Sequence, residues 1–238
     1  MKTAVITGSS RGIGKAIAEE FAKNGYHVVL NASKSRSELE ETLAEFKNKG
    51  YSCEAVLADI SDYNQCEKLF KKDVDILINN AGISFIGLFT DMSYEQWKRI
   101  IDVNLLSVFN CTHIALKKYM LPKHSGSIIN ISSIWGERGA SCEAVYSAAK
   151  GGINSFTKAM AKEVGLSGIR VNAISCGVID TKMNDCFDTE EKAALCDEIS
   201  LSRFGTPEEV AKLAVFLSND VTAGYINGQI ITIDGGMY

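Results

Sequence analysis

The stretch TAVITGSSRGIG, residues 3–14, joins a short apolar run to a turn that contains three glycines. The apolar run predicts a buried strand, and the periodic pattern over residues 12–24 predicts a helix. Glycines let the backbone turn sharply and approach a pyrophosphate, while the start of a helix offers unpaired N–H groups and the positive end of a dipole. The spacing is Gly-x-x-x-Gly-x-Gly, so the common Gly-x-Gly-x-x-Gly fingerprint fails in its strict form. A purely structural turn seldom needs three glycines in seven residues, so we predict a dinucleotide-binding loop.

Apolar runs alternate with helical patterns along the rest of the chain. Strands are predicted over residues 3–7, 27–31, 52–58, 74–79, 127–132, 169–175 and 229–233. Helices are predicted over residues 12–24, 37–49, 62–71, 93–120, 143–164 and 207–218. Seven strands separated mostly by single helices indicate a parallel sheet with helices on both faces. Because no linker, repeat or low-complexity tract divides the chain, we predict one Rossmann-type, doubly wound α/β domain over residues 1–238.

The composition excludes several classes of function. A net charge of −4 provides no basic face for nucleic acid. No apolar run reaches the length of a membrane span, and the first residues lack the core of a signal peptide. The cysteines form no C-x-x-C pair and no Cys/His cluster, so we expect no metal site, no disulfide framework, and reduced thiols in a cytoplasmic protein. The seven cysteines are Cys53, Cys66, Cys111, Cys142, Cys176, Cys186 and Cys196.

A second motif, SIWGERGASCEAVYSAAK over residues 133–150, carries a hydroxyl, a phenol and an ammonium group. Tyr146 and Lys150 are four residues apart in a predicted helix, so their side chains leave from the same face. A phenol has a reference pKa of about 10, and we expect the neighbouring cation to lower the pKa of Tyr146. Such a group suits acid/base chemistry on carbonyls and alcohols. Ser133 follows an apolar run, at the end of a strand where open α/β sheets bind ligands.

The Tyr-x-x-x-Lys spacing is a weak signal by itself, because an ordinary amphipathic helix also produces it. Tyr94 with Lys98 and Tyr119 with Lys123 repeat the spacing, but neither tyrosine has a serine thirteen residues upstream. Pro122 also interrupts the second copy, where it would disturb a continuing helix. The catalytic interpretation therefore depends on Ser133 and on the glycine loop.

The choice between the two nicotinamide dinucleotides depends on the end of the second strand. An acid about 20 residues after the glycines holds the ribose 2′-hydroxyl, whereas a basic residue suits a 2′-phosphate. The chain reads LNASKSR over residues 30–36 and has no acid in that stretch before Glu38. Arg11 and either Lys34 or Arg36 are candidates to bind a phosphate. NADP(H) is therefore favoured over NAD(H), with solvated surface cations as the alternative interpretation.

Together these motifs resemble the short-chain dehydrogenase/reductase family over essentially the whole chain. The resemblance is carried by TGSSRGIG (7–14), ADI (58–60), NNAG (79–82), Asn104 and the Ser133, Tyr146 and Lys150 set. Within the family, LSRFGTPEE (201–209) and IDGGMY (233–238) are similar to the 3-oxoacyl-(acyl-carrier-protein) reductases.

The resemblance implies a role for each residue. Tyr146 would donate a proton, Lys150 would hold the nicotinamide ribose, Ser133 would polarise a carbonyl, and Asn104 would hold a water that relays protons to Lys150. The other residues implied at the coenzyme are Gly8, Ser9, Ser10, Arg11, Gly12, Ile13 and Gly14 at the pyrophosphate, Ser33 at the adenosine ribose, Asp59 and Ile60 at the adenine, Asn80 under the ribose, and Ile179 and Thr181 at the nicotinamide amide. Lys34 joins this set through its charge, as a candidate to bind the 2′-phosphate.

One segment departs from the family pattern. Cys176 precedes Gly177 where the family usually has proline, and losing a proline frees a backbone torsion at the start of the expected substrate lid, residues 182–206. The lid sequence does not indicate which substrate it would bind, but its mixture of charged and apolar residues suits a segment that shields a hydride step from water. Cys176 is interpreted as a small buried hydrophobe rather than as a reactive thiol.

The resemblance also suggests partners. An acyl carrier protein is acidic, and Lys123 with His124 is the candidate docking site for it. An ordinary surface lysine is an equally good interpretation of Lys123. Ser167 also occupies a position where the resemblance leads us to expect another basic residue. Family members are commonly homotetramers. Phe156, Met160 and Val164 form a candidate apolar stripe for such an assembly, with simple core as the alternative.

The expected function is reduction of a ketone to a secondary alcohol with NADP(H). The favoured substrate is a 3-oxoacyl thioester, on acyl carrier protein or coenzyme A, in fatty-acid synthesis. The alternative is the same chemistry on a sugar, polyol, steroid or other small ketone or alcohol. A distant alternative is a non-catalytic dinucleotide sensor, which would not need the Asn104, Ser133, Tyr146 and Lys150 tetrad.

Overall fold

The computed structural model describes residues 1–71, 73–184 and 187–238. The strands are β1 (Thr3–Ile6), β2 (His27–Ala32), β3 (Cys53–Leu57), β4 (Ile76–Asn79), β5 (Gly126–Ser133), β6 (Ile169–Cys176) and β7 (Ile230–Ile233). The helices are α1 (Gly12–Lys23), α2 (Arg36–Asn48), α3 (Tyr63–Cys66), α4 (Tyr94–Ile101), α5 (Ser107–Ala115), α6 (Leu121–Lys123), α7 (Trp135–Arg138), α8 (Ala144–Val164), α9 (Thr189–Glu198), α10 (Pro207–Ser218) and α11 (Asp220–Ala223).

All seven strands form one parallel sheet in the order β3-β2-β1-β4-β5-β6-β7. The chain moves outward from β1 to β3 and then returns to add β4 on the other side of β1. The carboxyl ends of β1 and β4 therefore lie at the point where the winding reverses, which is where ligands bind in open α/β sheets. The prediction of a doubly wound parallel sheet is confirmed.

The apolar strands are buried on both faces because helices cover each side of the sheet. Neighbouring residues of β1 point to opposite faces: Ile6 joins the core beneath α1 and α10, whereas Val5 joins the core beneath α5 and α8. Phe21 of α1 and Leu217 of α10 are fully buried in the first of these cores. The two cores fix the helices, and the helices in turn place the loops at the carboxyl edge of the sheet.

Two predicted helices differ from the structure. The helix predicted over residues 62–71 is instead the single turn α3 followed by a 3-10 turn, Glu67–Leu69. The helix predicted over residues 93–120 is divided by π-helical turns at Asp102–Leu106 and Leu116–Met120 and continues through α6. A π turn adds one residue within an otherwise continuous helix, and a pattern read over one long stretch does not resolve so local a change.

Helices α7, α9 and α11 were not predicted, because each is short or lacks a clear apolar stripe. Helix α9 begins with a capping box formed by Asp188 and Glu191 and lies within the expected lid. Part of that lid and the predicted thiol Cys186 lie outside the described residues. In the described ranges no helix is long and apolar enough to cross a membrane, and no cluster of three or more His, Cys, Asp or Glu residues is arranged to hold a metal ion.

Candidate active site

The structure brings Ser133, Tyr146 and Lys150 together at the carboxyl edge of the sheet. Ser133 is the last residue of β5, Tyr146 lies in the first turn of α8, and Lys150 follows one turn later. The ammonium of Lys150 is buried, donates a hydrogen bond to the carbonyl oxygen of Ile131 at 2.8 Å, and lies 5.5 Å from the centre of the Tyr146 ring. The i, i+4 spacing in the sequence therefore produces the expected shared face.

The expected lowering of the Tyr146 pKa is not found in this structure. Burial raises the pKa of Tyr146 well above its usual value, Glu143 and Cys176 raise it further, and only the hydrogen bond from Ser133 acts in the opposite direction. Burial also lowers the pKa of Lys150 to about 8. The prediction was wrong because it counted the attraction of the cation and omitted the larger effect of desolvation.

Asn104 lies inside the π-helical turn of residues Asp102–Leu106 and is fully buried. Its amide accepts a hydrogen bond from the N–H of Ile83 and donates one to the carbonyl oxygen of the same residue, both at 2.8 Å. A Cβ atom at Gly82 would lie 3.2 Å from Oδ1 of Asn104 and 3.8 Å from Nζ of Lys150. Asn104 and Lys150 thus face the same loop after β4.

The other two Tyr/Lys pairs with the same spacing lie in different environments. Tyr94 is exposed and Lys98 pairs with Asp102 at 2.5 Å, while the hydroxyl of Tyr119 donates to the carbonyl oxygen of Phe70. Lys98 and the Tyr119 hydroxyl thus have structural partners of their own.

Lys123 and His124 are placed wrongly for the predicted docking site. The ammonium of Lys123 donates to the carbonyl oxygen of Val74 and to Asp75, at 2.6 and 2.8 Å. Asp75 stands just before β4, at the amino edge of the sheet, and also accepts a hydrogen bond from the N–H of Thr3. Lys123 therefore fastens the start of two strands on the side of the molecule opposite Ser133.

The glycine loop has the close contacts that a phosphate cradle requires. A Cβ atom at Gly8 would lie 2.8 Å from Cα of Ala81, and one at Gly14 would collide with the carbonyl oxygen of Gly8. The side-chain amide of Asn80 donates to the carbonyl oxygens of Thr7 and Gly8, at 2.9 and 3.1 Å. The loop is thus held between β1, α1 and the end of β4, with no room for side chains at two of its glycines.

The start of α1 remains open to an anion. Arg11 occupies the N-cap position, and no side chain of the described residues caps the first N–H groups of the helix. A Cβ atom at Gly12 would meet only Thr181, at 3.6 Å, so the predicted Thr181 lies at the outer wall of the loop. These features fit a dinucleotide pyrophosphate. Ser10 and Ile13 are half-buried in this loop, but Ser9 is fully buried and its hydroxyl donates to the carbonyl oxygen of Ile6, so its side chain faces inward.

Arg11 is already paired in this structure. Its guanidinium donates to both carboxylate oxygens of Glu38, at 2.8 and 3.1 Å, and Lys182 approaches the same carboxylate at 3.3 Å. Ser33 and Lys34 are exposed beside this cluster, on the turn after β2. Glu38, the first acidic residue after β2 in the sequence, therefore contacts the glycine loop through Arg11.

Asp59 and Ile60 follow β3, as expected from the sequence. The Asp59 carboxylate pairs with Arg99 at 2.8 Å and accepts hydrogen bonds from Ser61, while Ile60 is buried. The carboxylate of Asp59 therefore anchors α4 to the end of β3.

The segment after β6 lies beside the same edge. Cys176 is buried, as the sequence indicated, and burial raises the pKa of its thiol to about 12. Ile179 is also buried and forms an isolated parallel bridge with Gly205. This bridge joins the segment just before the expected lid to its last residues.

Sequence reasoning overlooked two features of this site. A Cβ atom at Gly136 would lie 2.7 Å from the carbonyl carbon of Lys150, so α7 packs directly on the backbone of α8. Glu143 receives a hydrogen bond from Ser84 one turn before Tyr146. Glu143 lies within the motif of residues 133–150, three residues before Tyr146. That spacing could have indicated that the two side chains lie on the same side of the helix.

Comparison with known proteins agrees with this arrangement. A model of the short-chain dehydrogenase/reductase family, described as Enoyl-(Acyl carrier protein) reductase, matches residues 8–238. This chain belongs to the short-chain dehydrogenase/reductase family. It is therefore an oxidoreductase of the nicotinamide-dinucleotide type.

Within this family, several relatives match the chain over nearly its full length. The chain is 40% identical to the 3-oxoacyl-(acyl-carrier-protein) reductase FabG of Staphylococcus aureus, over 100% of this chain and 98% of that protein. It is 41% identical to the 3-oxoacyl-(acyl-carrier-protein) reductase of Synechocystis, over 99% and 96%. A crystal structure of a putative gluconate dehydrogenase from Agrobacterium tumefaciens superposes with a TM-score of 0.94 at 40% identity, covering 99% of this chain and 95% of that one.

Proposed function

We propose that this member of the short-chain dehydrogenase/reductase family reduces a ketone to a secondary alcohol with NADP(H). The observation that carries the proposal is the meeting of Ser133, Tyr146 and Lys150 at the carboxyl edge of β5, next to the glycine loop after β1. A phenol and a hydroxyl beside a dinucleotide cradle supply what carbonyl reduction requires of a protein. The proposed coenzyme residues are those of the glycine loop together with Ser33, Lys34, Asp59, Ile60, Asn80, Ile179 and Thr181.

Each member of the tetrad has a separate task in this proposal. When bound, NADP(H) supplies the hydride. Ser133 and Tyr146 donate hydrogen bonds to the ketone oxygen as negative charge develops on it. Tyr146 gives its proton to that oxygen, and the ammonium of Lys150 stabilises the phenolate that remains. Asn104, held by both backbone groups of Ile83, keeps the loop after β4 against Lys150.

We propose a 3-oxoacyl thioester as the substrate, carried by acyl carrier protein or coenzyme A in fatty-acid synthesis. The proposal draws on the two named reductases, which match nearly the whole chain. The gluconate dehydrogenase relative favours a second candidate, a sugar acid or polyol, at the same level of identity. We further propose a cytoplasmic enzyme of one domain, with residues 182–206 as its substrate lid.

Tyr146→Phe tests the mechanism. Removing the hydroxyl should reduce turnover of acetoacetyl thioester about 10²- to 10⁴-fold, because the proton donor is lost while the ring remains. Binding of NADPH, measured by its fluorescence, should survive. Unchanged turnover would contradict the assigned proton donor, and binding without turnover in the unsubstituted enzyme would favour a dinucleotide sensor. A panel of thioester, sugar and steroid ketones with NADPH and NADH then separates the substrate candidates.

A further inference from the structure

A carboxylate stands one helical turn before Tyr146. Glu143 occupies the N-cap position of α8, but its side chain forms no capping hydrogen bond with the helix. Instead, Oε1 accepts a hydrogen bond from the hydroxyl of Ser84. Residues three apart at the start of a helix share a face, so Glu143 and Tyr146 lie on the same side of α8.

Ser84 belongs to the loop that forms one wall of the site. The preceding residue, Ile83, exchanges two hydrogen bonds with Asn104, and Gly82 faces Asn104 and Lys150. The N–H of Gly87 donates to the carbonyl oxygen of Cys142 at 2.9 Å, which fastens the same loop to the segment before Glu143. Glu143 is therefore held where the loop after β4 contacts the start of α8.

The charge of Glu143 is not neutralised within the described part of the chain. No Lys, Arg or His of residues 1–71, 73–184 and 187–238 forms an ion pair with it, and within those ranges its hydrogen-bond donor is the Ser84 hydroxyl, at Oε1. The guanidinium of Arg138, on neighbouring α7, lies 4.6 Å from the centre of the Tyr238 ring. The carboxylate nevertheless influences the catalytic phenol, since it raises the pKa of Tyr146.

We propose that Glu143, held by Ser84, selects neutral keto substrates and excludes those with a free carboxylate near the ketone. The inference rests on the proposed ketoreductase function and deepens it. A ketone held by Tyr146 lies about one helical turn from Glu143, on the same side of α8, and two negative charges in such a partly buried site repel each other. Repulsion of the wrong substrate is a common source of specificity. A 3-oxoacyl thioester is neutral at this position, whereas the free 3-oxo acid and a sugar acid are not.

Glu143→Gln tests this selectivity with two substrates of the same skeleton, acetoacetate and methyl acetoacetate. The amide oxygen of glutamine can still accept the hydrogen bond from Ser84, so the substitution removes the charge and keeps the contact. We expect the unsubstituted enzyme to prefer the ester by about 100-fold in kcat/KM. In Glu143→Gln, kcat/KM for acetoacetate should rise and the preference should fall at least about tenfold.

Glu163→Gln is the matched control, because it removes an exposed carboxylate at the far end of α8. It should leave both substrates unaffected, and retained NADPH binding by each variant reports an intact fold. A preference that stays the same in Glu143→Gln, or that falls only because the ester is reduced more slowly, overturns the role of Glu143 and leaves the ketoreductase function standing. If the unsubstituted enzyme reduces neither substrate, the role of Glu143 and the 3-oxoacyl substrate are both overturned, whereas reduction of another ketone of the panel would still support the ketoreductase function.

Discussion

At the scale of single residues, burial has more influence on the catalytic groups than their mutual attraction. Desolvation lowers the pKa of Lys150 to about 8, while it raises the pKa of the Tyr146 hydroxyl above its usual value. Lys150 must be charged to stabilise the phenolate left after proton transfer. We therefore predict that kcat/KM for NADPH in ketone reduction is constant below pH 8 and falls about tenfold per pH unit above it, because this ratio reports the free enzyme. A profile that stays level to pH 10 would show that Lys150 remains protonated.

Arg11 of the glycine loop forms an ion pair with Glu38, and we predict that this pair influences the coenzyme preference. Their ion pair is exposed, and such pairs contribute only about 0.2–1 kcal/mol. Glu38→Gln releases Arg11 and removes the charge that would repel a 2′-phosphate. We predict that the KM for NADPH falls about two- to fivefold, whereas the KM for NADH does not fall. Glu40→Gln, which breaks the exposed pair with Arg36 on the same helix, is the control and should change neither value. Arg11→Ala should act in the opposite direction, raising the KM for NADPH more than that for NADH, and equal effects on both coenzymes would remove the argument.

At the scale of elements, the position of Lys150 depends on how closely α7 approaches α8. A Cβ atom at Gly136 would lie 2.7 Å from the carbonyl carbon of Lys150 and 3.0 Å from the nitrogen of Gly151, which are backbone atoms that cannot move aside alone. We predict that Gly136→Ala lowers the free energy of unfolding by about 1–3 kcal/mol, as measured with urea. Gly165→Ala, at the end of α8 with Asn227 at an ordinary 3.4 Å, should be neutral or stabilising. An equal effect of the two substitutions would contradict the packing argument.

The elements also show where sequence patterns are informative. Strands β4 and β5 were predictable because each contains a short run rich in isoleucine or leucine, and the glycine loop was predictable because close backbone approach demands glycine. The π-helical turn that places Asn104 was not predictable, since a helical pattern read over a long stretch does not resolve a change confined to one turn. The environment of Lys123 was not predictable either, because Asp75 meets it only when β1, β4 and α6 come together. Sequence therefore identified the chemical groups, whereas their burial and their partners required the structure.

At the scale of the whole molecule, the sheet explains why one edge carries the chemistry. Parallel strands place every strand-to-helix loop at the same edge, so Gly8, Asn80, Ser133 and Cys176 come together although they are distant in sequence. At the opposite edge, buried side chains bind neighbouring segments of the chain together. There, Arg170 is buried and donates to the carbonyl oxygens of Leu217 and Ser218 and to Asp220. Function and stability are therefore divided between the two edges.

The outer surface of α5 and α8 bears on assembly. The predicted stripe is only partly exposed: Val164 belongs to the core, whereas the Phe156 ring lies 4.7 Å from that of Phe109, which is 37% exposed beside Leu106. We predict a homotetramer that buries this aromatic pair, with a mass in light scattering near four times the chain's 25.9 kDa. Phe109→Glu should reduce that mass, because the new carboxylate would be buried without a partner. Leu166→Glu, at a fully exposed position after α8, should leave the mass unchanged. A monomeric unsubstituted protein, or a Phe109→Glu variant of unchanged mass, would contradict this interface.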